Sequence, residues 1–202
     1  MKVCDYVKCD YFPCHDVNHS NYIVPEINID PGSVSIILIS EAAPENTADY
    51  YYADGEPLFM QTTVQAFQDA GARVSSIPDI LDLGVYMTTA VKCGKTSYGI
   101  KAATINECSS LLEEEINLFP DIKAYLLMGD VAIKAINYIA KRNGEERVIP
   151  AGSTYKIRKG NYVYRCAAAF PSYTQAGPAF FIEKSKRKMI AEDIADALKL
   201  IA

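Results

Sequence analysis

Val85-Tyr-Met-Thr-Thr-Ala-Val-Lys-Cys93 is the stretch whose reading decides the fold. Residues 85–91 are mostly apolar or β-branched over a strand's length, the pattern of a buried strand. The strand ends in Lys92-Cys93. Fifteen positions on, Cys108 falls within a helical pattern from Ile105 to Phe119, with Leu111, Leu112, Ile116 and Phe119 inward. Reading outward, Val34-Ser-Ile-Ile-Leu-Ile39 is a strand bounded by Pro31-Gly32 and Ser40-Glu41. Asn46 to Phe59 has no clean period and reads as a loop. Phe59 to Gly71 repeats apolar residues at helical spacing, and Gly71 is a stop signal. Ala124-Tyr-Leu-Leu-Met128 is a further strand, leading through Gly129-Asp130 into a helix over Val131–Ala140. Tyr155–Arg158 and the run from Tyr162 through Cys166 to Ala168 read as strands four and five, joined around Lys159-Gly160-Asn161. Ile182–Ile201 reads as an amphipathic helix. Strands alternating with helices predict an α/β fold, a three-layer α/β/α sandwich around a mainly parallel central sheet. Residues 1–202 are expected to form one domain, with 1–33 as a Cys-rich N-terminal arm.

Half of the 202 residues are hydrophobic, enough to bury a full core, and the net charge is −5. That acidic balance gives no support for bulk affinity to nucleic acid, so any such contact must use a local basic patch. Lys184, Lys186, Arg187 and Lys188 form the one such cluster, and a solvated helix start is its commoner explanation. The N-terminus has no apolar run of signal-peptide length. No stretch approaches the ~20 apolar residues of a membrane span. A cytoplasmic protein without a membrane partner is the expectation. In a reducing compartment its six cysteines point to metal ligation or buried thiols before disulfides.

Thiolates are soft ligands suited to zinc or to an iron–sulfur cluster. Cys93 and Cys108 bracket the turn between a strand and a helix, and Cys4, Cys9 and Cys14 stand ready in the arm. The expected ligand set is Cys9, Cys14, Cys93 and Cys108, with Cys4 as substitute. Such a site would staple the arm to the core. The other reading is that these thiols are simply buried. Cys166 reads as a packed thiol within an apolar strand, and His15 and His19 as loop histidines. In parallel α/β folds ligands bind at the carboxyl ends of the strands, here the loops after Ile39, Val91, Met128 and Ala169. Ser40-Glu41 would place a carboxylate there, fit to position water or simply to solvate a loop. Phe170-Pro-Ser-Tyr173 would place aromatics and a hydroxyl at the same crevice, for stacking on a base or sugar or for packing alone.

Taken in order, these pieces resemble the uracil-DNA glycosylase superfamily, and most closely its iron–sulfur branch, family 4. The pieces are Ile39-Ser-Glu-Ala-Ala-Pro44, Gly55-Glu-Pro-Leu58, Tyr86 through Lys92-Cys93, Cys108 followed by Leu112 to Ile116, Met128-Gly-Asp-Val-Ala132 and Phe170-Pro-Ser-Tyr173. Together they cover about residues 4–190. The resemblance implies a [4Fe–4S] cluster, with zinc or no metal as the alternative. It also implies DNA as partner and base excision as the activity. The implied site has Glu41 as the catalytic carboxylate, with Ala42, Leu58, Phe59, Thr89, Phe170 and Ser172 around the base. Three positions depart from the family pattern. Thr89 stands for an Asn that reads the uracil edge, Leu58 for an aromatic that stacks, and Phe170 for a His that stabilises charge on the leaving base. One hydroxyl cannot offer the paired donor and acceptor of an amide, and a phenyl ring donates nothing to an oxyanion. The expectation is therefore a glycosylase-like protein with altered base specificity and weak action on uracil. The alternative is a non-catalytic relative that binds nucleic acid or a nucleobase-like ligand.

Overall fold

Runs such as Ile36-Ile-Leu-Ile39 and Ala124-Tyr-Leu-Leu-Met128 present no polar face, so they are stable as strands only if covered on both sides. The computed structural model describes residues 1–97 and 99–201 and shows such a covering. Its strands and helices are, in chain order, β1 (Val17–Asn18), β2 (Ile36–Ala43), α1 (Leu58–Asp69), α2 (Ile77–Asp82), β3 (Val85–Lys95), α3 (Ala102–Ile116), β4 (Ala124–Met128), α4 (Asp130–Arg142), α5 (Thr154–Ile157), β5 (Tyr162–Tyr164), β6 (Ala167–Ser172), α6 (Ala179–Ile182) and α7 (Lys184–Leu198). Among the described residues the strands form one sheet in the order β1-β3-β2-β4-β6-β5. The four inner strands are parallel, and the two short edge strands run antiparallel to their neighbours.

Alternation along each strand sorts the side chains into two cores. Ile37, Ile39, Tyr86 and Leu127 pack with Ile105 and Leu112 of α3 and Ile136 of α4. Ile36, Leu38, Met87 and Leu126 pack with Val64 and Phe67 of α1 and Ile190 and Ile194 of α7. These are the expected three layers. The connections after β2 and β4 leave toward opposite edges of the sheet, since β3 and β6 lie on opposite sides of the β2–β4 pair. The crevice at a parallel sheet's switch point therefore falls between the carboxyl ends of β2 and β4.

The arm belongs to the α3/α4-side core. Val3, Val7, Val17, Val24 and Ile29 are buried there, and the Ile23 N–H donates to the Lys92 carbonyl at 2.8 Å on the outer edge of β3. Asp16 acts as the missing cap of α3. It accepts from the Lys101 N–H at 2.6 Å and from the Thr104 hydroxyl, satisfying donors that a helix start leaves open. Against a cost of partial burial, those two bonds hold the Asp16 carboxyl below its ordinary pKa.

The structure corrects the sequence reading at several elements. Tyr155–Arg158 is not a strand but the helical turn α5 and its cap. A four-residue alternation is weak, and here a tertiary contact outweighs it. Arg158 turns inward, pairs with Asp193 of α7 at 2.7 Å and donates to the Met189 carbonyl at 2.7 Å. The hairpin accordingly turns at Arg165-Cys166, both with positive φ of 48° and 64°, between β5 and β6 and not around Gly160. Cys166 is thus an exposed turn residue, not a packed strand thiol. Strands β2 and β3 run on through Ala43 and Lys95, so the loops expected after Ile39 and Val91 start later. Ala42 still pairs with Val91 and Ala43 with Gly94. The terminal helix is broken at Glu183 into α6 and α7. Helix α2, signalled by a Ser76/Asp79 capping box, lies where no helix was expected.

One buried charge pair ties β3 to α3. Lys92 and Glu115 are each at most 1% exposed and are directly paired. Lys92 Nζ also donates to Thr88 Oγ1 at 2.8 Å and to the Thr89 carbonyl at 2.6 Å. Tyr86 OH donates to the other oxygen of Glu115 at 2.5 Å. Removing one charge strands the other in a medium that cannot solvate it. Lys92→Met is expected to lower the unfolding free energy by about 3–5 kcal/mol, and Lys92→Met/Glu115→Leu by less than the single change, both read from urea titrations. A double variant as unstable as Lys92→Met would show that the pair's charge is not what the fold depends on.

Candidate active site and thiol cluster

Cys93 lies near the end of β3, Cys108 in the second turn of α3, and Cys9 and Cys14 in the arm. Cys14, Cys93 and Cys108 are buried and Cys9 is half-buried. Their thiols are close enough to disfavour each other's ionisation. Burial, then Cys108, Cys9 and Cys14, push the Cys93 thiol up to about 12. Burial, with Cys14 and Cys9 adding, pushes Cys108 up to about 11, although the Lys92 N–H and ammonium favour its thiolate. Burial also raises Cys14, opposed by a hydrogen bond with Thr104 and reinforced by Cys9. Tyr22 leans over the same space: its hydroxyl accepts from the Cys9 N–H at 3.1 Å, and burial with Cys9, Cys93 and Cys108 nearby raises it to about 12. Cys4 lies in the turn Val3–Asp5 and packs on the apolar core. Among the described residues no three His, Cys, Asp or Glu side chains are arranged to hold a single metal ion. Cys9, Cys14, Cys93 and Cys108 supply thiols, the soft donor type that zinc or an iron–sulfur cluster takes.

The second constellation lies at the carboxyl ends of β2 and β4. Glu41, near the end of β2, keeps 22% of its side chain exposed and pairs with Lys95 at 3.4 Å. Its carboxylate rests over Gly129: a Cβ at that position would meet Glu41 Cγ and Oε1 at 2.7 Å. Gly129 has a φ of 107° and begins α4, so the positive end of that helix faces the carboxylate. A partly exposed, held carboxylate at a switch point can orient a water molecule for attack.

The other expected residues are distributed around this point. Thr89 is fully buried and its Oγ1 has no partner. Leaving a hydroxyl so costs about 1–3 kcal/mol. It is the register partner of Ser40, so the two side chains stand on the same face. Leu58 opens α1 and is half-buried, and Phe59 stacks on Tyr51 with ring centroids 5.3 Å apart. Phe170 is half-buried on β6, against the α1/α7-side core. Ala42 packs in the opposite core. Ser172 is fully buried and donates to Asp193 at 2.7 Å. The structure thus gathers Thr89, Phe59 and Phe170 on the α1/α7 face, with Glu41 at the β2–β4 mouth, and commits Ser172 to the Arg158–Asp193 pair. In the basic cluster, Arg187 pairs with Asp69 of α1 at 2.8 Å, and Lys186 pairs with Glu183 at 2.7 Å.

Sequence reasoning passed over a polar group on this face. Ser40, Tyr51, Thr63 and Gln175 are each at most 1% exposed. Ser40 is hydrogen-bonded to Tyr51, and Gln175 bridges Ser40, Tyr51 and Thr63. The Tyr50-Tyr51-Tyr52 run inside a nominal loop was the available signal. A surface hollow of about 340 Å³ lies outside α4, and one of about 330 Å³ beside α1 and α2 has Tyr51 in its wall.

The sequence profile described as "Uracil DNA glycosylase superfamily" matches residues 28–196. The chain is also similar to the Type-5 uracil-DNA glycosylase of Thermus thermophilus, with 23% identity over 131 residues. That match takes in 64% of the chain and only 57% of the relative's length.

Gly129 is the sharpest local test of this geometry. Gly129→Ala must adopt a backbone conformation hostile to a side chain and must displace Glu41. It is expected to cost roughly 1–3 kcal/mol in chemical denaturation. Gly144→Ala, also at positive φ but with nothing within 4 Å, is expected to cost less. Equal costs would mean that Glu41 does not rest where the structure places it.

Proposed function

Because the chain belongs to the uracil DNA glycosylase superfamily, we propose that it is a DNA base-excision glycosylase of altered base specificity, weak on uracil. The observation that carries this reading is Glu41, held half-exposed by Lys95 over Gly129 at the head of α4. An extruded nucleotide enters the mouth between β2 and β4, as chemistry on a paired base demands. Glu41 orients water toward the sugar carbon and takes its proton as the new C–O bond forms. The glycosidic bond breaks and its electron pair leaves with the base. Ala42, Leu58, Phe59, Thr89, Phe170 and Ser172 are the surroundings proposed for that base. With Phe170 in place of a donor, charge on the departing base has no imidazole to meet it. With Thr89, position 89 on β3 offers a single hydroxyl. Both are reasons for poor action on uracil. The closed state of the Ser40–Tyr51–Thr63–Gln175 group favours a second reading, a non-catalytic protein that binds nucleic acid or a nucleobase-like ligand.

Cys9, Cys14, Cys93 and Cys108 are the proposed ligands of a [4Fe–4S] cluster, with zinc as the alternative. When bound, the cluster supplies a cross-link from the arm to β3 and α3 and takes no part in excision. Residues 1–202 act in this reading as a single domain in the cytoplasm, where thiols stay reduced. DNA is the partner. Among the described residues, no helix is long and apolar enough to cross a membrane.

Two measurements test the reading. Duplex and single-stranded oligonucleotides with one uracil, hypoxanthine or xanthine are expected to show slow uracil release and faster release of another base. Glu41→Gln is expected to lower the rate about 100-fold or more. Thr89→Asn/Leu58→Phe/Phe170→His is expected to raise uracil excision, whereas Phe170→His alone does little. Brisk uracil release by the unaltered protein, undiminished by Phe170→Ala, would show that the site is wrongly aligned. Separately, anaerobically purified protein is expected to be brown, with about four iron atoms per chain, and Cys93→Ser or Cys108→Ser to be colourless. A colourless protein carrying zinc would replace the cluster by the alternative.

A further inference from the structure

The β6–α6 loop carries Gln175 into the interior. An amide at 0% exposure is costly there unless every donor and acceptor is met. Here Oε1 accepts from Ser40 Oγ at 3.2 Å, and Nε2 donates to Tyr51 OH at 3.0 Å and Thr63 Oγ1 at 3.3 Å. All three partners are hydroxyls, each able to donate or accept, so the group can exchange partners without leaving a charge or a fixed dipole unmatched. No ionised side chain takes part in these bonds. Next to the group stands Thr89, whose buried Oγ1 has no partner and whose register neighbour is Ser40. The Tyr51–Phe59 ring pair forms an apolar wall beside it. A neutral planar heterocycle suits these surroundings, and an anion or cation does not.

We propose that Gln175 is the base-selecting residue of this site, its side-chain amide reading a base that presents adjacent N–H and C=O groups, a lactam edge. Position 89 on β3 holds one hydroxyl and cannot make that paired contact. The Gln175 amide bonds Ser40, the strand neighbour of Thr89. On entry of the base, Gln175 exchanges hydroxyl partners for the lactam edge, and the Thr89 hydroxyl gains the partner it lacks. Ser40, Tyr51 and Thr63 hold the amide in place until a base enters. The inference rests on the glycosylase reading for its reaction, but the recognition step stands apart from it and is measurable by itself.

The experiment compares the unaltered protein with Gln175→Leu and Gln175→Glu. Excision is measured on duplexes with a single uracil, hypoxanthine, xanthine or adenine. Calorimetry measures binding of the free bases uracil, hypoxanthine and adenine, and melting curves report folding. A site built to hydrogen-bond its substrate loses heavily when that bond is removed. Gln175→Leu is therefore expected to lower kcat/KM for the best lactam base at least about 100-fold. Gln175→Glu, which replaces a donor by an acceptor, is expected to change the ratio between lactam bases and adenine. A residue that only tethers the loop would shift melting or overall rate and leave that ratio unchanged; an unchanged ratio with Gln175→Glu overturns the proposal. Gln175-dependent binding of a free lactam base without excision of any base supports the proposal and overturns the glycosylase reading. Neither binding nor excision by the unaltered protein overturns both.

Discussion

The buried Lys92–Glu115 pair is the constraint on which the rest of the structure leans. A lysine in the middle of a fully covered strand is expensive to desolvate, and the cost is met only by close, complete bonding. Glu115 on α3, Thr88 Oγ1 and the Thr89 carbonyl supply it. Those bonds fix how α3 is placed along β3. The same two elements carry Cys93 and Cys108, one residue after Lys92 and two helical turns before Glu115. They also carry Thr89, whose carbonyl is held by the ammonium. The thiol group and the proposed base site thus share one locked strand. Apolar residues in place of the pair could pack the layer equally well, but they would not choose a single register between strand and helix.

The two faces of β3 divide the work. Toward α3 and α4 lie the thiols and the arm, where Asp16 and Tyr22 fasten the chain from outside the sheet. Toward α1 and α7 lie Thr89 and, beside it, Ser40, Tyr51 and Gln175. The arm closes the outer edge of β3 through Ile23, and Tyr52 does the same nearer its start, donating to the Met87 carbonyl at 2.9 Å and accepting from the Met87 N–H at 3.1 Å. An exposed parallel edge would otherwise invite pairing with another chain. The arm is therefore part of the fold whether or not its cysteines hold a cluster. The cluster would add a cross-link to contacts already made.

The sequence made the sheet legible because its inner strands are continuous apolar runs with breakers on either side. Ala124–Met128 was readable to the residue, since Gly129 and Asp130 end it abruptly. Legibility failed where tertiary bonds decided. Tyr155–Arg158 alternates like a strand, yet Arg158 folds inward to Asp193, thirty-five residues away. Cys166 looked like strand because its neighbours are small and apolar, while the turn at Arg165-Cys166 has no glycine to announce it. At the site, Glu41 and Thr89 were marked by family motifs, and the cysteines by composition. Lys92 was quoted within a motif, but its role was invisible, because Glu115 looked like one more acid in the run Glu113-Glu-Glu115. Gln175 had no local signal at all. Its meaning comes from three hydroxyls at positions 40, 51 and 63.

The departures at positions 58, 89 and 170 read differently once those hydroxyls are in view. Judged by motif alone, Thr89 and Phe170 are losses, a site stripped of its readers. In the fold, Thr89 is the one member of a buried polar group without a partner, and a group so nearly complete is unlike a decayed site. Decay tends to fill a crevice with apolar residues, because unpaired polar atoms in a dry interior destabilise the fold. Here an amide and four hydroxyls remain fully buried, and a nearby carboxylate stays partly open to solvent. Glu41 gains for stability only a partly screened pair with Lys95 and the field at the head of α4, each worth little by itself. Its placement over a glycine that only glycine can fill is costly to keep for packing alone. The polar group and the carboxylate together are the features on which the proposed base site rests.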